Sequence, residues 1–299
     1  MRSDVMAWER SLEVNLFELR DELSTNRYKH GHYTPFTIHD PKERRIHKAG
    51  VRDRIVHQAV VNILERIFEC QFIFDSFSCR KGKGIHAASK RLQKFLVKAS
   101  KNYTRTVYAL KCDIRKFFDR VDHNILLELI RRRIDDNDTT SLLTNIVASF
   151  NATSAKGLPI GNLTSQLFAN IYLHELDYFV KHILREKWYL RYCDDFIIIS
   201  YSWGHLLNIL EKIKYFFRQR LKLEIHPNKV SIRSWGQGID FVGYVHMPNC
   251  VIVRTKTKNR VLRRVNQKNL VSYMGVCNHA DTFELQQLLF NKVGKTAKL

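Results

Sequence analysis

The chain runs to 299 residues, with 50 Lys and Arg against 29 Asp and Glu, a formal net charge of +21 that points to anionic partners. Hydrophobic residues at 44% supply a sizeable core, while 5 Pro and 12 Gly exclude a low-complexity or collagen-like chain. The opening stretch carries charges throughout and no apolar run nears the roughly 20 residues of a membrane span, so neither a secretory signal nor a membrane anchor is expected.

From Val5 to Leu23, Trp8, Leu12, Leu16, Leu19 and Leu23 recur at steps of three and four, which predicts an N-terminal amphipathic helix. Asn26 to Val51 mixes basic residues with turn formers and reads as a basic ribbon or loop. It meets a helical pattern at Ile55, Ala59, Val60, Ile63 and Ile67. Arg80, Lys81 and Lys83 surround Gly82 and Gly84 just before a helix starting near His86, a turn suited to phosphate. Thr106 to Ile114 alternates in the manner of a strand and ends on Asp113. Asp122 is placed to cap a helix from His123 to Ile134. Trp188 to Ser200 reads as strand, turn and strand, with Asp194 and Asp195 at the hairpin tip. A helix from His205 to Arg220 and short strands follow, and from Val251 the chain turns basic again. The alternation predicts one compact α+β body with basic appendages.

The six cysteines, Cys70, Cys79, Cys112, Cys193, Cys250 and Cys277, are dispersed, with no C-x-x-C pair. Zinc ribbons and disulfide scaffolds are therefore not expected. Their apolar surroundings predict buried free thiols in a reducing compartment, with the cytosol, of a cell or of a cell infected by a virus, as the expected location.

Chemistry concentrates in the acids. If the two strands are neighbours, Asp113, Asp194 and Asp195 cluster, and like charges at close range call for a cation. Oxygen donors select hard ions, here two Mg²⁺ with Mn²⁺ as a substitute. Such a pair activates an attacking 3′-hydroxyl and stabilises a leaving pyrophosphate. An aspartate in a turn is ordinary on its own. A doublet bracketed by apolar strands costs stability unless it does something.

Nearly the whole chain resembles reverse transcriptases in motif order. Asp113-Ile114-Arg115-Lys116-Phe117-Phe118-Asp119 is similar to the first palm motif, and Tyr192-Cys193-Asp194-Asp195 to the Tyr-x-Asp-Asp box. The resemblance implies a right-hand fold of palm, fingers and helical thumb. It implies that Asp113, Asp194 and Asp195 are catalytic metal ligands, assisted by the backbone carbonyl of Ile114, and that Phe118 excludes a ribose 2′-hydroxyl from the incoming dNTP. Lys229, after Pro227-Asn228, takes the place of a lysine that protonates pyrophosphate. Arg45, Lys48, Arg52 and Arg54 lie in the basic fingers motif that holds the triphosphate, and Phe241-Val242-Gly243-Tyr244 resembles the primer grip.

Gly157 to Gln166 is similar to the motif that opens a palm helix beneath nucleotide and template, with Ile160, Gly161 and Gln166 expected at the substrate. Most relatives carry Gln where Ile160 stands and Pro where Gln166 stands. The Ile-Gly-x-x-x-Ser-Gln variant resembles the enzymes of diversity-generating retroelements, which misincorporate opposite template adenines. Ile cannot offer the hydrogen bonds of Gln, and losing a polar contact loosens discrimination. By the resemblance the partners are template RNA, an RNA–DNA hybrid and a small helical accessory protein. The expected boundaries are fingers 1–104, palm 105–131, fingers insertion 132–153, palm 154–245 and thumb 246–299, a minimal polymerase. Ser272 to Gly275 with His279 resembles the end of such a thumb. The competing readings are a retron or group II intron type of reverse transcriptase, template-independent synthesis, and a basic RNA-binding scaffold without catalysis. Retention of all three aspartates argues against the scaffold.

Overall fold

A computed structural model describes residues 3–39 and 43–296. The elements in chain order begin with α1 (Ser3–Glu9), α2 (Leu12–Ser24), β1 (Thr34–Ile38), β2 (Arg44–Lys48), α3 (Val51–Glu69) and α4 (Ile85–Ala99). Then come β3 (Tyr108–Asp113), α5 (Phe117–Arg120), α6 (His123–Arg131), α7 (Asn137–Ala148), α8 (Leu163–Tyr178), β4 (Tyr189–Tyr192), β5 (Asp195–Ser200) and α9 (Trp203–Phe216). The chain closes with β6 (Ser231–Ser234), β7 (Ile239–Phe241), β8 (Tyr244–His246), β9 (Val251–Val253), α10 (Thr255–Arg264), α11 (Leu270–Cys277) and α12 (Phe283–Thr296). None of the described helices is long and apolar enough to cross a membrane.

Where the sequence predicts one body, the chain gathers into two compact units built from interleaved segments. The first takes residues up to Ile73, Ile114–Phe179 and Ile213–His226, and the second takes Phe74–Asp113, Val180–Lys212 and the chain from Pro227 on.

The first unit is mainly helical. α8 lies against α3 and α6, and α6 against α7. Leu167, Phe168, Ile171, Tyr172, Leu173 and Leu176 of α8 are all buried, so this helix is apolar around most of its circumference, as a central helix must be. The Asp122 carboxylate accepts from the backbone N–H groups of Asn124 and Ile125 at 3.1 and 3.3 Å, the cap read from the sequence. β1 and β2 pair antiparallel and form the basic ribbon. The expected single N-terminal helix is broken at Arg10 and Ser11 into α1 and α2. Leu12 and Leu16 stay exposed and only Leu19 of α2 is buried, so no continuous apolar face holds one straight helix together.

The second unit is built on a four-stranded antiparallel sheet of order β4-β5-β3-β6. Ala109, Ile197, Ile199 and Leu190 meet Leu92, Phe95 and Leu96 of α4 on one face, while Leu110, Cys112, Phe196 and Ile198 are buried on the other. With both faces dry, β5 reads as an unbroken apolar run, Phe196 to Ile199. Burying each such side chain contributes about 1.5–3 kcal/mol. β7, β8 and β9 form an antiparallel meander. The turn from β7 to β8 takes Val242 and Gly243 at φ 45° and 94°, a two-residue hairpin reversal. α10, α11 and α12 close a satellite core of Val261, Val265, Cys277, Leu285, Leu289 and Val293.

Two further expectations need correction. The short strands expected after Arg220 begin only with β6, which pairs with β3, and of the thiols only Cys112 and Cys277 are buried, whereas Cys70 and Cys79 are exposed. Among the described residues all six cysteines are free.

Candidate active site

The hairpin between β4 and β5 is closed by two residues, Cys193 and Asp194, because Tyr192 and Asp195 are register partners. Cys193 adopts φ 54°, a left-handed conformation that costs an L-residue about 1–2 kcal/mol. Arg191 holds the turn. Its guanidinium is fully buried and donates to the Cys193 carbonyl at 3.1 Å and to Ser76 Oγ at 3.0 Å. Asp195 therefore opens β5 rather than sitting at the tip, and across the sheet it faces Asp113, the last residue of β3.

Two carboxylates thus oppose one another on adjacent strands, with Asp194 in the turn beside them. Lys229 ends a short 3₁₀ turn, Pro227–Lys229, and its Nζ lies 3.0 Å from each Asp113 carboxylate oxygen. Lys111 Nζ lies 4.0 Å from Asp195. Burial pushes the Asp195 carboxyl up to about 6 against the pull of Lys111, with Asp113 and Asp194 adding repulsion. Burial, then the Asp113 charge, also raises Asp194. Carboxylates raised by crowding and burial are an all-oxygen donor set that a hard divalent cation would relieve, and the Lys229 ammonium supplies such a positive charge here. Three carboxylates are the donor chemistry Mg²⁺ takes, but among the described residues no group of three His, Cys, Asp or Glu side chains is gathered closely enough to hold a metal ion.

In the first unit a basic cavity of about 1120 Å³ is lined by Arg45, His47, Lys116, Phe150, Lys156 and Ile160, among others. Ile160 reaches it because the loop ahead of α8 docks on β2. The His47 N–H donates to the Ile160 carbonyl at 3.0 Å, and Asn162 Nδ2 to the His47 carbonyl at 2.9 Å. Gly161 permits this approach, since at φ 111° a Cβ there would stand 2.6 Å from Ile46 Cγ2. Gln166 is exposed on the first turn of α8. Phe118 is half-buried, its ring 5.3 Å from that of Phe117, and it is Phe117 that fills the core. Ile114 is buried and bridges Ile225.

The four fingers cations divide. Lys48 and Arg54 both grip the Asp4 carboxylate, at 2.6 and 2.8 Å, which holds it below the usual carboxylate range. Arg52 pairs with Glu22 and lies 4.6 Å over the Tyr28 ring. Arg45 is exposed, and its side chain makes no hydrogen bond or ion pair among the described residues.

The reverse transcriptase (RNA-dependent DNA polymerase) family profile matches residues 38–246. The chain belongs to this family.

Its class is that of RNA-directed DNA polymerase enzymes. This reverse transcriptase is 28% identical over 279 residues to protein YkfC of Escherichia coli, covering 78% of this chain and 71% of that one. It is 26% identical over 261 residues to the group II intron-encoded protein LtrA of Lactococcus lactis, covering 64% of this chain but 42% of LtrA. Among solved structures it is similar to apo telomerase from Candida tropicalis, at TM-score 0.56 and 14% identity, covering 81% of this chain and 51% of that one. Telomerase from Candida albicans aligns at TM-score 0.57 and 11% identity, covering 84% and 50%. These likenesses agree on a right-hand polymerase fold.

Two residues of this reverse transcriptase escaped the sequence reading. Arg191 looks like any strand arginine until its burial is known. Lys116 faces the basic cavity from a left-handed position at φ 48°, which nothing in its sequence context signals.

Proposed function

We propose that the chain copies a template RNA into DNA by two-metal nucleotidyl transfer. The observation that carries this is the pairing of Asp113 with Asp195 on adjacent strands, with Asp194 next to Asp195 in the β4–β5 turn. Asp113, Asp194, Asp195 and the carbonyl of Ile114 would hold the Mg²⁺ ions, for which Mn²⁺ can substitute. When bound, such ions lower the pKa of the primer 3′-hydroxyl and neutralise the departing pyrophosphate. Lys229, whose Nζ lies 3.0 Å from the Asp113 carboxylate, is the proton donor to the pyrophosphate. Phe118 sets the deoxyribose preference, and Arg45 meets the triphosphate from the basic cavity that Ile160 also lines; Gly161 and Gln166 complete the motif under the nucleotide and template. Lys48 and Arg54 reach phosphate once Asp4 yields, and Arg52 once Glu22 does. Fingers 1–104 and 132–153, palm 105–131 and 154–245, and thumb 246–299 are the corresponding divisions, and the cytoplasm is the expected place of work.

Within the family, the pair Ile160 and Gln166 supports the mutagenic enzyme of a diversity-generating retroelement, working with a small helical accessory protein. The likeness to LtrA favours an intron-type enzyme as the second reading. The test is dNTP incorporation on a primed RNA template with Mg²⁺, comparing the chain with Asp194→Ala and Ile160→Gln and sequencing the cDNA. Activity lost in Asp194→Ala, with errors opposite adenine that Ile160→Gln reduces, supports the retroelement reading. Faithful cDNA from both active forms supports the intron type. Undiminished synthesis by Asp194→Ala overturns the catalytic assignment.

A further inference from the structure

β5 leads away from Asp195 and ends at Ser200, roughly 17 Å along the strand. Beyond that end the second unit carries a groove of about 620 Å³, lined by Arg105, Arg185, Lys187, Trp188, Tyr201 and His205 among others. Its aromatic rings and cations are already interleaved. The Arg105 guanidinium lies 4.2 Å from the Tyr201 ring centre, and Lys187 Nζ 4.9 Å from that of Trp188. Arg105 Nη2 donates to the Ala99 carbonyl at 2.9 Å, while its buried Nε has no hydrogen-bond partner among the described residues. Tyr201 is 62% exposed, and the neighbouring Trp203 is 44% exposed with its ring edge-on to Tyr108 at 5.6 Å. Among the described residues lining the groove the acid is Glu186, which is buried and held by His205 at 2.7 Å.

We propose that this groove binds a single-stranded segment of RNA, separate from the strand being copied at the carboxylates. Unpaired bases offer π faces to Tyr201 and Trp188, while their phosphates meet Arg105, Arg185 and Lys187. A duplex keeps its bases stacked inside and has no use for exposed rings. A protein partner of ordinary composition would want a contiguous apolar core, which cations interrupt here. The choice of RNA over DNA rests on the reading that the chain copies RNA.

The test is photocrosslinking of the full chain to a short single-stranded RNA carrying 4-thiouridine, followed by peptide mapping, at raised salt where scattered phosphate contacts weaken. Crosslinks are expected on the peptides carrying Trp188 and Tyr201. Tyr201→Ala and Lys187→Gln, with unchanged melting temperatures, should each lower crosslinking there by roughly fivefold or more. Asp194→Ala should crosslink like the parent chain, so this readout survives even if the polymerase reading fails. Crosslinks confined to other peptides, or unaffected by both substitutions, would overturn the proposal. So would equal crosslinking by DNA of the same sequence, or sedimentation showing that a second copy of the chain covers the groove.

Discussion

Lys229 places its ammonium 3.0 Å from both carboxylate oxygens of Asp113, a cation centred on that acid. Lys229→Met should cut dNTP incorporation roughly a hundredfold, the scale of a lost proton donor. Lys229→Arg should keep the ion pair but not the proton delivery, because a guanidinium stays charged. Steady-state incorporation rates across pH separate the two. Parental rates in Lys229→Met would end its assignment as proton donor.

Arg191 braces the hairpin turn from inside the second unit. Replacing it with Leu leaves the Cys193 carbonyl and Ser76 Oγ without that donor, so stability should fall by about 2–4 kcal/mol. Urea unfolding checks this, and Arg191→Lys should recover part of the loss.

Gly161→Ala should destabilise the chain by about 1–3 kcal/mol, since the new methyl meets Ile46 Cγ2 and the backbone is left-handed. Adding Ile46→Ala relieves only the contact, so thermal melting of the double variant should recover part of the loss. Full recovery would show that the backbone conformation costs nothing.

His246 is fully buried, with Nε2 3.3 Å from Ser89 Oγ and Nδ1 3.3 Å from Gln93 Oε1. Burial lowers it from 6.5 to about 4. Between those values the unfolded chain binds the extra proton, so stability falls as pH drops from about 6.5 towards 4, by at most about 3 kcal/mol for this group. His57, lowered to about 4 by burial and by His30, adds a loss of the same sign. Denaturant midpoints at pH 7 and 5 should differ less in His246→Gln than in the parent. An equal difference would remove His246 from the account.

The strands and the acids were legible because their signals are local. The alternation through Asp113 and the apolar run after Asp195 fix which residues face which side, whatever else surrounds them. β6 was not, since Ser231-Ile232-Arg233-Ser234 is short and mostly polar and offers no apolar alternation to mark it. The break between α1 and α2 was hidden because periodic leucines continue across it while the burial that should follow does not. The Arg191 bond to Ser76, and the Asp4 carboxylate shared by Lys48 and Arg54, join residues far apart in the chain. No short window of sequence contains both partners.

The thiol of Cys193 offers a practical handle by its inertness. Burial and the adjoining Asp194 charge push it up to about 12, so at neutral pH it is almost wholly protonated and a poor nucleophile. Cys70, just past the end of α3, is an exposed residue whose thiol donates to the Ile67 carbonyl at 3.2 Å. A maleimide dye added briefly near neutrality should mark Cys70 ahead of the hairpin thiol, giving a fluorescent chain whose Tyr-Cys-Asp-Asp turn is chemically untouched.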